Sequence, residues 1–147
     1  MMSTKDIKEL FIRDLDKLKT ELEAYPTEES LWVKAEGINN SAGNLILHLC
    51  GNLLHFIGAT LGETGYIRKR DFEFNGRVSY QELLNEIEET KRMIQSSLDK
   101  ITDEDLAKNY PIEHFGYPMT TGHFFLHLFG HFSYHLGQVN YHRRILS

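Results

Sequence analysis

The sequence predicts an all-α protein, a four-helix bundle with a long overhand connection between its second and third helices. Three observations carry that prediction. Four stretches repeat apolar residues at helical spacing. The three prolines, Pro26, Pro111 and Pro118, fall between those stretches, where they interrupt no helix. The run from Gly62 to Ser79 has no strong periodicity and is too long for a tight hairpin, so it is expected to cross the bundle.

The first helix is expected from about Thr4 to Tyr25, with Ile7, Phe11, Leu15, Leu18 and Leu22 on one face and Ser3 as its cap. Pro26 and the polar residues after it stop it. The second runs from about Ser41 to Leu61 and is apolar nearly all round, as in a helix buried on most sides. The third begins after Ser79 and uses Tyr80, Leu83, Leu84, Ile87, Ile94 and Leu98. A turn-rich stretch, 102–119, leads to a fourth helix from near Thr120 almost to the end. No linker or low-complexity segment divides residues 1–147, which read as one domain.

Composition narrows the function classes. The net charge is -5 and no basic run occurs, which argues against nucleic acid and anionic membrane surfaces as partners. No apolar signal core opens the chain, and no apolar run stands out as long enough to span a bilayer, about 18 residues. Cys50 is the single cysteine and has no internal partner for a disulfide, as expected in a reducing compartment. Cytoplasm is the expected location.

Two sequence features call for an explanation. One is an internal echo: Ser41-Ala-Gly-Asn-Leu-Ile-Leu-His48-Leu-Cys-Gly-Asn runs in step with Thr120-Thr-Gly-His-Phe-Phe-Leu-His127-Leu-Phe-Gly-His, and Gly58 matches Gly137. Glycine within a helix costs about 1 kcal/mol relative to alanine, so matched sets imply close packing or a pair of quasi-equivalent helices across one site. The other is the histidines. Eight occur, and five of them, His123, His127, His131, His135 and His142, crowd into the fourth helix.

His127, His131 and His135 are spaced by four, which stacks neighbouring imidazoles roughly 6 Å apart on one helix face, within reach of one metal ion. Two ligands make a weak site, and His48 in the buried second helix supplies the third. Three histidines on rigid helices leave a coordination position for water or substrate. Asn52, one turn after His48, and His55, two turns after it, are candidates for the same cavity; Tyr134 and Gln138 flank the histidine pair, and Gln138 could orient a ligand. His123 and His142 read as surface or cap-region residues. Cys50, two residues from His48, points away as a small buried residue.

The stretch His131-Phe-Ser-Tyr-His135-Leu-Gly-Gln138 resembles the His-x3-His-Arg-Gly-Gln signature of the DinB/YfiT-like metalloenzymes, and Ser41 leading to His48-Leu49 resembles that family's second-helix motif. The resemblance covers nearly the whole chain. It implies a four-helix bundle with an overhand connection, a homodimer, and one divalent ion on His48, His131 and His135. Nickel or zinc leads among the ions, with iron or manganese also compatible with imidazole. Leu136 stands where the family has arginine. The internal echo pairs His48 with His127 instead, which makes His127 the rival of His131 and otherwise a pocket residue.

Chemistry is constrained by an absence. Neither the second nor the fourth helix carries Asp or Glu, which excludes a di-iron carboxylate bundle and the His-Glu-x-x-His hydrolase pattern. Glu63, Asp71 and Glu113 are the connection carboxylates considered as late arrivals. A neutral three-histidine site leaves the ion its full charge, which favours ionising a thiol. That agrees with what the resemblance implies: transfer of a low-molecular-weight thiol such as bacillithiol, mycothiol or glutathione to an electrophile, with a small molecule as substrate. The alternatives are a metal-dependent hydrolase, and a non-enzymatic ligand-binding or regulatory bundle whose pocket is lined by Phe72, Phe74, Tyr110 and Phe115.

Overall fold

The computed structural model describes residues 2–146. Among them the regular structure is helical: α1 (Thr4–Glu23), α2 (Ala42–Leu53), α3 (Arg70–Asn75), α4 (Tyr80–Leu98) and α5 (Thr121–Leu146), with short 3-10 turns at Glu29–Trp32 and Glu104–Ala107. Helix starts follow side-chain caps. The Ser3 hydroxyl accepts from the Asp6 amide at 3.0 Å, and Ser41 from Asn44 at 3.2 Å. Ser79 and Glu82 form a reciprocal capping box at the head of α4.

The core joins Phe11, Leu15, Leu18 and Leu22 of α1 to Ile46, Leu49 and Leu53 of α2, Leu83, Ile87 and Ile94 of α4, and Phe124, Phe125 and Phe132 of α5. Helix α1 packs on α4 and α5, and α2 packs on α3, α4 and α5. Every residue of α2 is buried. The stretch Ala42–Ala59 has, against the sequence expectation, the length and hydropathy of a bilayer-spanning helix, but 89% of it is buried against the other helices.

The structure departs from the sequence reading in four places. The second helix is α-helical only to Leu53 and continues as a π turn, Leu54–Ala59, whose wider ring appears in the bond from the Gly62 amide to the Ile57 carbonyl at 2.9 Å. The connection 62–79 contains α3, too short to show a helical period. His142 is buried, not superficial: Nε2 donates to the Val33 carbonyl and Nδ1 lies beside the Tyr25 hydroxyl, each at 2.7 Å. The internal echo does not describe equivalent helices. Gly43 on α2 lies under the Trp32 ring and Gly58 in the π turn under Met93, whereas on α5 Gly122 is crowded by the Leu106 carbonyl but Gly130 and Gly137 face open space. The two copies share a start, with Gly43 and Gly122 both close to a neighbour and a hydroxyl cap, since Thr120 Oγ1 accepts from the His123 amide as Ser41 does from Asn44.

Candidate metal centre

Helix α2 brings His48 to the middle of the protein, 5% exposed, and α5 presents His131 and His135 one turn apart on its facing side. One nitrogen from each of the three rings can be chosen so that all lie within 4.8 Å of one another. His48 Nε2 and His131 Nε2 stand 3.1 Å apart. The far nitrogens of two rings are fixed by acceptors: His48 Nδ1 donates to Glu73 Oε1 at 3.0 Å, and His135 Nδ1 donates to Gln138 Oε1 at 2.7 Å. A proton on Nδ1 leaves Nε2 with its lone pair, which is the tautomer a metal takes.

Burial and the neighbouring His135 and His48 push the His131 imidazole down to about 4. Burial also lowers His135, against the opposing pull of its bond to Gln138. Both rings are therefore neutral near pH 7 and available as donors. His131 Nδ1 is buried without a hydrogen-bond partner among the described residues. Two nitrogens facing each other at 3.1 Å are satisfied only by a shared proton or a cation. This donor set fits a divalent ion of borderline softness.

Behind His48 lies an ionic support that the sequence reading did not find. Glu73, on α3, is 4% exposed and receives the Arg68 guanidinium as a fork, Nε on Oε2 and Nη2 on Oε1, both at 2.9 Å. Burial alone would raise the Glu73 carboxyl, but the bonds from His48 and Arg68 outweigh it and hold it below the usual carboxylate value. Helix α3 is clamped to α2 by Asn44, whose Nδ2 donates to the carbonyls of Glu73 (3.0 Å) and Gly76 (2.9 Å). Gly51 permits the approach, because a Cβ there would collide with the Glu73 carboxylate. The signal was present as Asn44, His48, Gly51 and Asn52, small or polar residues along one side of an otherwise apolar helix. Nothing in the sequence said which carboxylate they awaited. Glu63, Asp71 and Glu113, the acids considered from the connections, are all exposed.

The other candidates fall around this group. His127 does not join the three: its ring lies 6.4 Å from that of His131, edge-on to Phe115 and stacked on Phe124. Successive i+4 steps drift around the helix, so α2 can face two of the three α5 histidines but not all. His48, Asn52, His55, Arg68, His114 and His127 line a cavity of about 620 Å³ beside the group. Burial depresses the imidazoles of His55 and His127. On the other side, His135, Gln138, Tyr134, Tyr141 and Ile38 line a second hollow of about 460 Å³, where Tyr134 is largely exposed. Of the aromatic residues considered for a pocket, Phe74 lies against His48 at 4.7 Å and Phe115 against His127, Tyr110 is sealed in the core, and Phe72 is largely exposed. Cys50 is buried, which pushes its thiol up to about 12 and leaves it inert. Leu136, in the arginine position of the signature, packs against the core, and the guanidinium near His48 is that of Arg68, 3.5 Å from its Nδ1.

Solved structures that share this fold include the following two. A DinB-like protein from Bacillus cereus ATCC 10987 superposes with a TM-score of 0.76 at 19% identity, over 98% of this chain and 93% of that one. The colibactin self-resistance protein ClbS, in complex with double-stranded DNA, superposes with a TM-score of 0.65 at 16% identity, over 95% of each chain. No curated protein matches the sequence. The ClbS complex overturns the exclusion of nucleic acid drawn above from net charge. A chain of this fold is seen with duplex DNA, and a net charge sums the whole surface, whereas phosphate contacts are local. A family model described as "Protein of unknown function (DUF1572)" matches residues 4–147, so the chain belongs to that family, and its fold is DinB-like.

Proposed function

We propose that this protein binds one divalent metal ion through His48, His131 and His135 and uses the site to transfer a low-molecular-weight thiol to an electrophile. The observation that carries the metal reading is the convergence of three imidazoles, two of them with the far nitrogen already held by Glu73 and Gln138. Nickel or zinc suits the donor set best, with iron or manganese next. The bound ion would supply Lewis acidity, lowering the pKa of a thiol presented to it.

The surrounding residues support thiol transfer over hydrolysis. Among the described residues, the one carboxylate at the histidines, Glu73, is committed to His48 and Arg68, and no carboxylate lines the adjoining cavity. The balance of the step is simple. The S–H proton passes to a neutral imidazole of the cavity wall, the sulfur forms a bond to the electrophilic carbon, and the leaving group departs with its electron pair. Besides the proposed ligands, His55, His114 and His127 are the imidazoles on that wall among the described residues. The remaining parts of the reading are a four-helix bundle whose overhand connection runs through 62–79, and a reducing, cytoplasmic setting that suits the free thiol of Cys50.

Metal analysis of protein prepared without a histidine tag tests the first half. We expect about one ion per chain, lost in His48→Ala and in His135→Ala. Protein that takes up no ion after incubation with nickel or zinc sinks the reading. For the second half, loaded protein is assayed for conjugation of glutathione, bacillithiol and mycothiol to a model electrophile. If none is accelerated, thiol transfer is dropped while the metal site stands.

A further inference from the structure

We infer that the cavity beside His48 and His131 is a binding site for a small organic anion, a carboxylate or phosphate that also carries a hydroxyl or amide N–H. As the substrate class of the proposed active site, this rests on the reading above; the binding itself does not require the ion. Three observations converge. Arg68 and Arg70 both line the cavity, and no Asp or Glu is among its described lining residues; Glu73 behind it matches the charge of Arg68, so Arg70 brings the uncompensated positive charge.

The two guanidiniums are held differently. Arg68 is fixed by its fork onto Glu73 and lies 5.8 Å from the Phe56 ring centroid, which leaves Nη1 without a hydrogen-bond partner among the described residues. Arg70 lies over the Phe74 ring at 5.4 Å and has no carboxylate partner among the described residues. Two guanidiniums lining one cavity, one held by a carboxylate and the other without such a partner, can share an anion through charge-assisted hydrogen bonds.

The third observation concerns Asn52. It is 8% exposed, lines the same cavity, and its Oδ1 is buried without a hydrogen-bond partner among the described residues. A buried acceptor left unpaired costs free energy, so a ligand that brings a donor is favoured over one that does not. The cavity volume, about 620 Å³, matches a small molecule and is too confined for a duplex.

The experiment is isothermal titration with three compounds: glycerol 3-phosphate, ethyl phosphate, which lacks the hydroxyls, and uncharged glycerol. It is run on the protein as purified and on three variants. Arg70→Gln, a rim change that leaves the fold intact, is expected to weaken both phosphates about tenfold. Asn52→Leu is expected to remove the preference for glycerol 3-phosphate over ethyl phosphate. His135→Ala, whose side chain does not line this cavity, is expected to keep the anion while losing any metal, so the two readings fail separately. No heat with either phosphate, equal affinity in Arg70→Gln, or loss of binding in His135→Ala with Arg70→Gln unchanged would each overturn the anion site.

Discussion

Helices α2 and α5 both supply imidazoles to the candidate centre, yet they are built on different terms. Helix α2 is enclosed on every side, its Gly43 and Gly51 sit under Trp32 and Glu73, and its histidine is held by a buried ion pair. Helix α5 is less apolar in composition and leaves Leu126, Tyr134, Tyr141 and Ile145 at the surface. Its Gly130 and Gly137 touch nothing, its His135 is steadied by an exposed glutamine, and its His131 has one nitrogen without a partner. The comparison teaches that similar sequence on two helices, down to matched Gly-and-His positions, can encode opposite packing. It also indicates that the His48 imidazole is pre-organised by a charge network and His135 by one hydrogen bond, while His131 has no such hold on its Nδ1.

The sharpest way to test that contrast is to remove ligands from each side. His48→Ala, His131→Ala and His135→Ala should each abolish stoichiometric metal, while His127→Ala keeps about one ion per chain by elemental analysis. Retention in His131→Ala with loss in His127→Ala would reassign the α5 pair.

Next in size is the support behind each ring. Glu73→Ala leaves Arg68 and His48 without their acceptor and should cost about 3–5 kcal/mol of unfolding free energy in denaturant titration. Gln138→Ala, on the exposed side, should stay within about 0.5 kcal/mol. Equal losses would erase the distinction between the helices.

The glycines give a smaller effect of opposite sign. Gly51→Ala drives a methyl into the Glu73 carboxylate and should destabilise by about 1–3 kcal/mol. Gly137→Ala meets open space in a helix and should stabilise by up to about 1 kcal/mol, read as a rise in Tm.

The smallest effect is a pH dependence of the metal-free protein. The His131 imidazole is held at about 4 in the folded state against 6.5 in the unfolded chain. As pH falls from 6.5 towards 4, the unfolded chain takes up the proton first, so stability declines across that window and is constant above it for this group. His131→Asn should flatten that part of a Tm-against-pH curve, by little, because the ring is only half-buried. A slope of the same size in the variant would assign the effect elsewhere.

The boundaries of α1 and α4, the burial of α2 and the fourth helix were all legible in the sequence, because helical period and capping residues are local properties of the chain. His48, His131 and His135 could be singled out in the same way, from spacing and from a family signature. Which of three evenly spaced imidazoles would face α2 was not local. It was decided by the rotation of α5 as it packs. The same holds for Glu73 and Arg68. They lie in a segment too short to show a period, and their chemistry exists only because Asn44 and Gly51, far away in sequence, draw α3 against α2. His142 was misread for a related reason: its partners, Tyr25 and Val33, come from the other end of the chain. Sequence by itself determined which faces must be buried, since that follows from the apolar pattern. Only the tertiary structure decided which polar groups are buried together, because a buried charge or imidazole is satisfied by whatever partner the packing delivers.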